Sequence, residues 1–319
     1  MKKITVLGGS GFVGTSLVTR LDAVGYQVTV LTRKRELAKH LILLPKVHVI
    51  ECDLSQQQKL KGLLAGSDIV INLVGILHES GNATFEKMHH QLPRRLAQLC
   101  EELNIPRLIH MSALQASKTA PSKYLRSKAM GEEAVFEYSK KLNITIFRPS
   151  IIFGRSDNFF NLFAKLIKVL PVLFLAKPNA KFQPIWVENV VSCIVNALES
   201  SATFGKVYEL GGPQVYTLQE LVTKVMTVLN KQRPIIGLND KLSYLQGWLM
   251  EFSPIPLMSR DNIRSMQVDN VTGQNNAHAL GVSLMPLEAI VPEYLTNATP
   301  RGAYLDYRCA AGRVINAKR

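Results

Sequence analysis

Cysteine is scarce and scattered: Cys52, Cys100, Cys193 and Cys309 contain no CxxC pair. This excludes a disulfide framework and a cysteine-based zinc site, and a reducing, cytoplasm-facing location is the expectation. Long apolar runs are also missing. The longest, from Leu166 to Ala176, is broken by Lys168 and Pro171 and falls short of the ~20 apolar residues that a bilayer crossing needs. It remains apolar enough to lie on a membrane. Strand-like patterning starts at Lys3, so no signal or transit peptide is expected ahead of it. Acidic residues number 24 against 38 lysines and arginines, a formal net charge of +14. That imbalance favours an anionic partner: a phosphorylated cofactor, an acidic protein or anionic lipid. Nucleic acid is not expected, because no dense basic block with interleaved aromatics and no nucleic-acid-binding module can be found.

What is present is alternation. Strand-like runs at Ile4 to Leu7, Gln27 to Leu31, Val47 to Glu51, Asp68 to Leu73, Arg107 to Met111 and Ile144 to Phe147 alternate with helical patterns. This predicts parallel strands joined by right-handed crossover helices. The early strands are almost wholly apolar, as in a sheet covered on both faces. The fold class is therefore α/β, a Rossmann-like doubly wound parallel sheet, with Gly25 placed to end the first helix. Past Phe153 the rhythm loosens. A helical stretch from Asn158 to Val169, a proline-punctuated loop, a helix from Val187 to Leu198, a short strand from Val207 to Leu210 and a helix from Leu218 to Leu229 follow. These read as a smaller C-terminal lobe interleaved with the first. The organisation is 1–155 as the Rossmann domain, 156–298 as the lobe that shares its core, and 299–319 as a basic tail.

Directly after the first strand, Gly8, Gly11 and Gly14 stand in a GxxGxxG spacing that opens a helical pattern. Gly8 permits a tight turn, Gly11 a close approach of backbone to a pyrophosphate, and Gly14 the packing of helix on sheet. The unpaired N–H groups at the helix start then face the phosphate charge. A lone glycine pattern is weak, but here strand and helix flank it as a dinucleotide site requires. The end of the second strand carries Thr32-Arg33-Lys34-Arg35 and no carboxylate. An acid there accepts from the ribose hydroxyl of NAD and repels a 2′-phosphate, so three cations favour NADP(H) over NAD(H). Arg33 is the expected phosphate or adenine contact, with Lys34 or Arg35 in support or merely solvated. Asp53, after the third strand, is placed to reach the adenine edge or to cap a helix.

Tyr124 and Lys128 form a YxxxK pair that shares one helix face. The ammonium is expected to lower the phenol's pKa toward neutrality and to hold a ribose, leaving the tyrosine as general acid or base. With the glycine turn, His110-Met111-Ser112-Ala113, the run Tyr124 to Glu132 (YLRSKAMGE) and Arg148 to Gly154 (RPSIIFG), the chain resembles the extended or atypical short-chain dehydrogenase/reductases. More narrowly, it is similar to the alpha subcomplex subunit 9 family of respiratory complex I and its bacterial relatives, a likeness continued by Phe182 to Val187 (FQPIWV) and Leu210 to Pro213 (LGGP). The resemblance implies cofactor contacts at Gly8, Ser10, Gly11, Phe12, Val13 and Gly14, at Leu54 beside Asp53, at Val74 and Gly75, and at Met111. It also implies contacts from Tyr124 and Lys128, and from Pro149, Ile151 and Ile152 around the nicotinamide. Ile152 equally suits strand-end packing. Active relatives carry a serine or threonine at the tip of the fifth strand to polarise a substrate carbonyl. Here Ser112 is followed by Ala113, so the donor is either lost or supplied by Ser112 in a shifted register.

His78, His89 and His90 lack metal-ligand spacing and are expected to be solvated or at the core edge, and no metal is expected. The apolar stretch from Phe159 to Leu175 reads first as a buried helix and second as a partner or membrane surface. Two functions stay open. One is a nucleotide-binding component of a respiratory or other membrane-associated complex, peripheral at the inner face of a membrane. The other is an active reductase, epimerase or dehydratase that uses Tyr124, Lys128 and Ser112 on a small substrate.

Overall fold

Seven strands carry the molecule: β1 (Lys3–Leu7), β2 (Gln27–Thr32), β3 (Val47–Glu51), β4 (Ile69–Asn72), β5 (Arg107–Met111), β6 (Asn143–Pro149) and β7 (Lys206–Leu210). In the computed structural model, which describes residues 1–253 and 257–296, they form one sheet in the order β7-β6-β5-β4-β1-β2-β3. Every neighbouring pair is parallel. Chain order reverses between β1 and β4, and the crevice at such a switch point is where open α/β sheets take ligands.

The strands are apolar on both faces because both faces are covered. Ile4, Val6, Val28, Val30 and Ile71 pack against Leu17, Val18 and Leu21 of α1 (Phe12–Val24) and against Val190, Val191 and Ile194 of α6 (Val187–Ala197). Leu7, Leu31, Val70, Leu108 and Ile146 face Leu60 of α2 (Gln57–Leu64), Leu96 of α3 (Leu92–Glu102) and Val135 of α4 (Lys123–Phe136). The α/β, doubly wound reading of the sequence is what the chain adopts.

Residues 187–210, read from sequence with the smaller lobe, lie in the main layer: α6 covers the sheet and β7 pairs with β6. Arg107 explains part of this. Its guanidinium is buried and donates to the carbonyls of Ala197, Leu198 and Asn143 and to Thr203 Oγ1, at 2.8 to 3.2 Å. It thereby satisfies carbonyls left open at the C-terminal end of α6.

A second core joins α5 (Phe160–Val169), α7 (Leu218–Val228) and α10 (Leu287–Leu295) around Phe153, Leu173, Leu175 and Tyr216. Most of the apolar stretch from Phe159 to Leu175 is spent here, with Phe160 and Ile167 fully buried and, of its large hydrophobic side chains, only Val169, Leu170 and Phe174 exposed. Two further helices, α8 (Asp240–Met250) and α9 (Arg260–Ser265), complete this side. Among the described residues no helix is long and apolar enough to cross a membrane. Cys52, Cys100 and Cys193 are buried free thiols; Cys309 and the basic tail from 299 lie outside the described residues.

Candidate functional site

At the switch point β1 runs into the glycine turn. Gly8 has φ +79°, and a Cβ there would stand 3.0 Å from the Leu73 carbonyl carbon, so the turn lies against the loop that leaves β4. Gly11 donates its N–H to Gly8 O at 3.0 Å and forms the N-cap of α1. Among the described residues no side chain caps that helix, and no acid occupies its first turn, so the N–H groups around Phe12 and Val13 present an uncompensated positive end. Gly14 is the tightest position: a Cβ would lie 2.3 Å from Gly8 O and 2.6 Å from Gly9 Cα.

The turn is tied sideways to the end of β2. Ser10 Oγ and Thr32 Oγ1 are 3.1 Å apart, and Thr32 in turn donates to the Lys34 carbonyl. Arg33, Lys34 and Arg35 follow, all exposed. Among the described residues their side chains make no hydrogen bond or ion pair. Three free cations beside an uncapped helix start make an anion-attracting corner. Asp53 is exposed, and its Oδ1 accepts from the Ser55 N–H at 2.9 Å, which holds the carboxyl below its ordinary range. It closes a turn ahead of α2, whose N-cap is Gln56, while Leu54 packs into the core below.

Helix α4 brings Tyr124 and Lys128 to the other side of the crevice. Its start is fixed twice: Ser122 Oγ accepts from the Leu125 N–H, and the Asp261 carboxylate of α9 accepts from the N–H groups of Lys123 and Tyr124 at 2.8 and 3.0 Å. An acid at this end also suits the helix dipole. Lys128 is buried. Its Nζ donates to the Met111 carbonyl at 3.2 Å and lies 3.2 Å from where a Cβ on Gly75 would stand. Burial lowers its pKa to about 8, with Glu132 opposing.

The expectation that Lys128 draws the phenol toward neutrality is corrected by this geometry. Tyr124 sits edge-on to His89 and Phe85, with ring centroids 5.5 and 6.0 Å away, and burial pushes its pKa up to about 12. The phenol is therefore a proton donor at neutral pH and a poor base. Tyr124 packs against a small apolar cluster of Ala113, Ala120 and Leu125. Ser112 lies below: its Oγ is shut off from solvent and has no hydrogen-bond partner among the described residues. The methyl of Ala113 is thus part of the tyrosine's surroundings.

The β6 end closes the site. Pro149 is buried, and its carbonyl accepts from the Leu114 N–H. Ile151 donates its N–H to Asn270 Oδ1 at 3.1 Å, and Ser150 Oγ donates to the same oxygen. Ile152 pairs with Ile185 and packs against the main core, so strand-end packing accounts for its position. Phe12 reaches across to Gly154.

Four residues here escaped the sequence reading. Glu132 stands four after Lys128 in YLRSKAMGE and holds Arg148 in a bidentate pair that fastens α4 to β6. Asn72 ends an otherwise apolar strand and is buried. His89, expected to be solvated or at the core edge, is instead 1% exposed and fully hydrogen-bonded, because it lies beneath α4. Of its neighbours, His78 is half-buried and His90 pairs with Glu86 at 2.8 Å. Asn270 carried no signal, since it arrives from a segment more than a hundred residues beyond the strand it organises.

Comparison with known proteins decides the family. Residues 4–211 match the model of the NAD dependent epimerase/dehydratase family. The chain belongs to that family. This family member is similar to the mitochondrial NADH dehydrogenase [ubiquinone] 1 alpha subcomplex subunit 9 of Arabidopsis thaliana, 33% identical over 300 residues, covering 88% of this chain and 74% of the relative. The Mus musculus protein of the same name is 33% identical over 293 residues, covering 89% and 77%. In fold it is similar to UDP-glucuronic acid 4-epimerase from Bacillus cereus, solved with UDP-glucuronic acid and NAD. The TM-score is 0.67 at 17% identity, covering 93% of this chain and 100% of that one.

Proposed function

We propose that this family member holds a nicotinamide dinucleotide, NADP(H) in preference to NAD(H), across the switch point. It serves as a cofactor-bearing component of a respiratory or other membrane-associated complex at the inner, cytoplasmic face of a membrane. The residues fit that ligand. The Gly8–Gly14 turn leaves no room for a Cβ at Gly14, and the uncapped start of α1 meets a pyrophosphate. Lys128 and Gly75 face a ribose, and Pro149, Ile151 and Ile152 border the nicotinamide. The second core around α5, α7 and α10 belongs to the lobe that covers the site. Arg33, with Lys34 in support, takes the 2′-phosphate, because a free guanidinium pairs with phosphate in a charge-assisted fork. Similarity to complex I subunits supports the docking role.

The observation that carries the binding-rather-than-turnover reading is the tyrosine's setting: Ala113 packs beside it, and Ser112 Oγ is closed off from solvent. A bound nicotinamide would supply hydride transfer. The chain's own residues would still have to polarise a carbonyl, a role that falls to the phenol in this reading. A second reading, a reductase, epimerase or dehydratase using Tyr124 and Lys128, is favoured by the intact YxxxK pair.

Incubation of the purified protein with NADPH and a panel of carbonyl compounds separates the two. Stoichiometric binding without loss of nicotinamide absorbance is expected, and Tyr124→Phe should leave the affinity within about twofold if the phenol's role is chemical rather than a cofactor contact. Oxidation that Tyr124→Phe abolishes would establish the enzyme reading instead. Arg33→Asp tests the cofactor choice. Loss of a charged hydrogen bond worth ~1.5–3 kcal/mol weakens NADPH by roughly ten- to a hundredfold, with NADH affected far less. Equal losses for both cofactors would refute the NADP assignment.

A further inference from the structure

The loop that leaves β4 has two backbone donors facing inward, and each is met by a chain that ends in an imidazole. The Val74 N–H donates to Asn72 Oδ1 at 3.1 Å, which turns the Asn72 amide nitrogen toward His110 Nδ1, also at 3.1 Å. His110 Nδ1 therefore accepts. On the other side the Ile76 N–H donates to His89 Nε2 at 3.0 Å, so the His89 proton rests on Nδ1 and is given to Ser127 Oγ at 2.8 Å. Ser127 in turn donates to the Tyr124 carbonyl at 2.7 Å.

We propose that His89 and His110 are positioning residues that clamp the loop from Leu73 to Ile76 between the glycine turn and α4, so that Gly75 is set against Lys128 before a dinucleotide arrives. The inference rests on the reading of Gly75 and Lys128 as nicotinamide-side contacts. Neutral imidazole suits the task because it is a rigid plane with one accepting nitrogen; His89 also donates at the other, whereas His110 Nε2 has no hydrogen-bond partner among the described residues. Protonation would aim a ring N–H at the Ile76 N–H in one clamp and at the Asn72 amide in the other. Both rings are buried, and the Lys128 ammonium faces each of them, which keeps them uncharged.

His89 is itself held firmly. Its backbone presses on α4 at Gly131, where a Cβ would lie 1.9 Å from His89 O, and its ring stacks on Phe85 at 5.3 Å. It lies in a π-helical turn, Glu86–Gln91, a winding that recurs at functional sites. Between them the clamps connect β4, β5, the π-turn and α4 around four loop residues. The glycine turn closes the circle, since Gly8 lies against Leu73 and Val74.

The test uses the full chain and compares His89→Phe, which keeps the ring's shape without its nitrogens, with His89→Gln, whose amide retains an acceptor and a donor. Ligands are NADPH and NADH, with adenosine 2′,5′-bisphosphate and ADP as adenine-half fragments. His89→Phe should weaken the dinucleotide by roughly tenfold, the worth of about one buried hydrogen bond, leave the fragments unchanged, and be largely rescued in His89→Gln. Parallel losses for dinucleotide and fragment, or no loss at all, would overturn the clamp. If the phenylalanine variant does not fold, Ser127→Ala interrupts the same chain and is read by the same criterion. Lys128→Met separates the inference from its premise. If it also spares the dinucleotide, the nicotinamide-side reading fails; if it weakens the dinucleotide while His89→Phe does not, the clamp alone fails.

Discussion

Gly14→Ala is expected to abolish dinucleotide binding, with a loss of affinity of a hundredfold or more, about 3 kcal/mol. The reason is geometric. The new methyl would enter a space bounded by Gly8 O at 2.3 Å and Gly9 Cα at 2.6 Å, and both are backbone atoms that no rotamer change can move. To relieve the overlap, either the turn opens or α1 lifts from the sheet. Both displace the uncapped N–H groups from the place where a pyrophosphate would sit. Overpacking of this kind also costs about 1–3 kcal/mol of fold stability. Gly62 is the control. It lies in α2 with nothing within 4 Å of its would-be Cβ, so Gly62→Ala should bind normally and gain about 0.4–1 kcal/mol. Calorimetric titration of the two variants with NADPH and NADH checks the contrast; comparable affinity in Gly14→Ala and wild type would refute it.

Acid should destabilise the protein steeply at mildly low pH, before most carboxylates titrate. Burial holds His89 at a pKa of about 2 and His110 at about 3, against an ordinary value of 6.5. Below the ordinary value the unfolded chain takes up two protons that the folded chain refuses. Their contribution is therefore fully present above about pH 6.5 and is lost as the pH falls toward the folded values. The slope is ~1.4 kcal/mol per pH unit for each imidazole, and twice that for the pair. Asp157 works in the opposite direction, since burial raises its carboxyl, but it is a single group and acts nearer its own lower range. Urea midpoints measured between about pH 7 and pH 5 should fall continuously, with His78, whose pKa burial also lowers, adding to the effect, and His89→Gln should make the slope clearly shallower. A flat profile over that interval would show that the imidazoles are not held neutral by the fold.

What was legible in the sequence follows from what is local. β1, β2 and β4 were visible because a strand buried on both faces must be apolar throughout, and Ile69-Val70-Ile71 leaves little alternative. The glycine turn was visible because its function is a property of three backbone positions in one short segment. Tyr124 and Lys128 were visible as a pair because helical spacing alone puts them on one face. The electrostatics were not: the phenol's pKa is set by burial, with Phe85 and His89 packed against the ring, and the Lys128 ammonium donates to the Met111 carbonyl, none of which spacing reveals. Likewise β7 carries the same apolar signature in the main sheet as it would in a separate lobe. Its place beside β6 depends on long-range pairing, and on Arg107 holding the end of α6. The roles of Asn72, His89, His110 and Asn270 were not legible for the same reason. A buried polar residue acquires a role only through the donors and acceptors that the fold brings to it.

The most direct test of the account is titration of the purified wild-type chain with NADPH and with NADH, alongside mass analysis of any nucleotide that copurifies. It predicts one dinucleotide per chain, NADPH bound more tightly than NADH, and binding that is lost in Gly14→Ala. No binding of either nucleotide would contradict it.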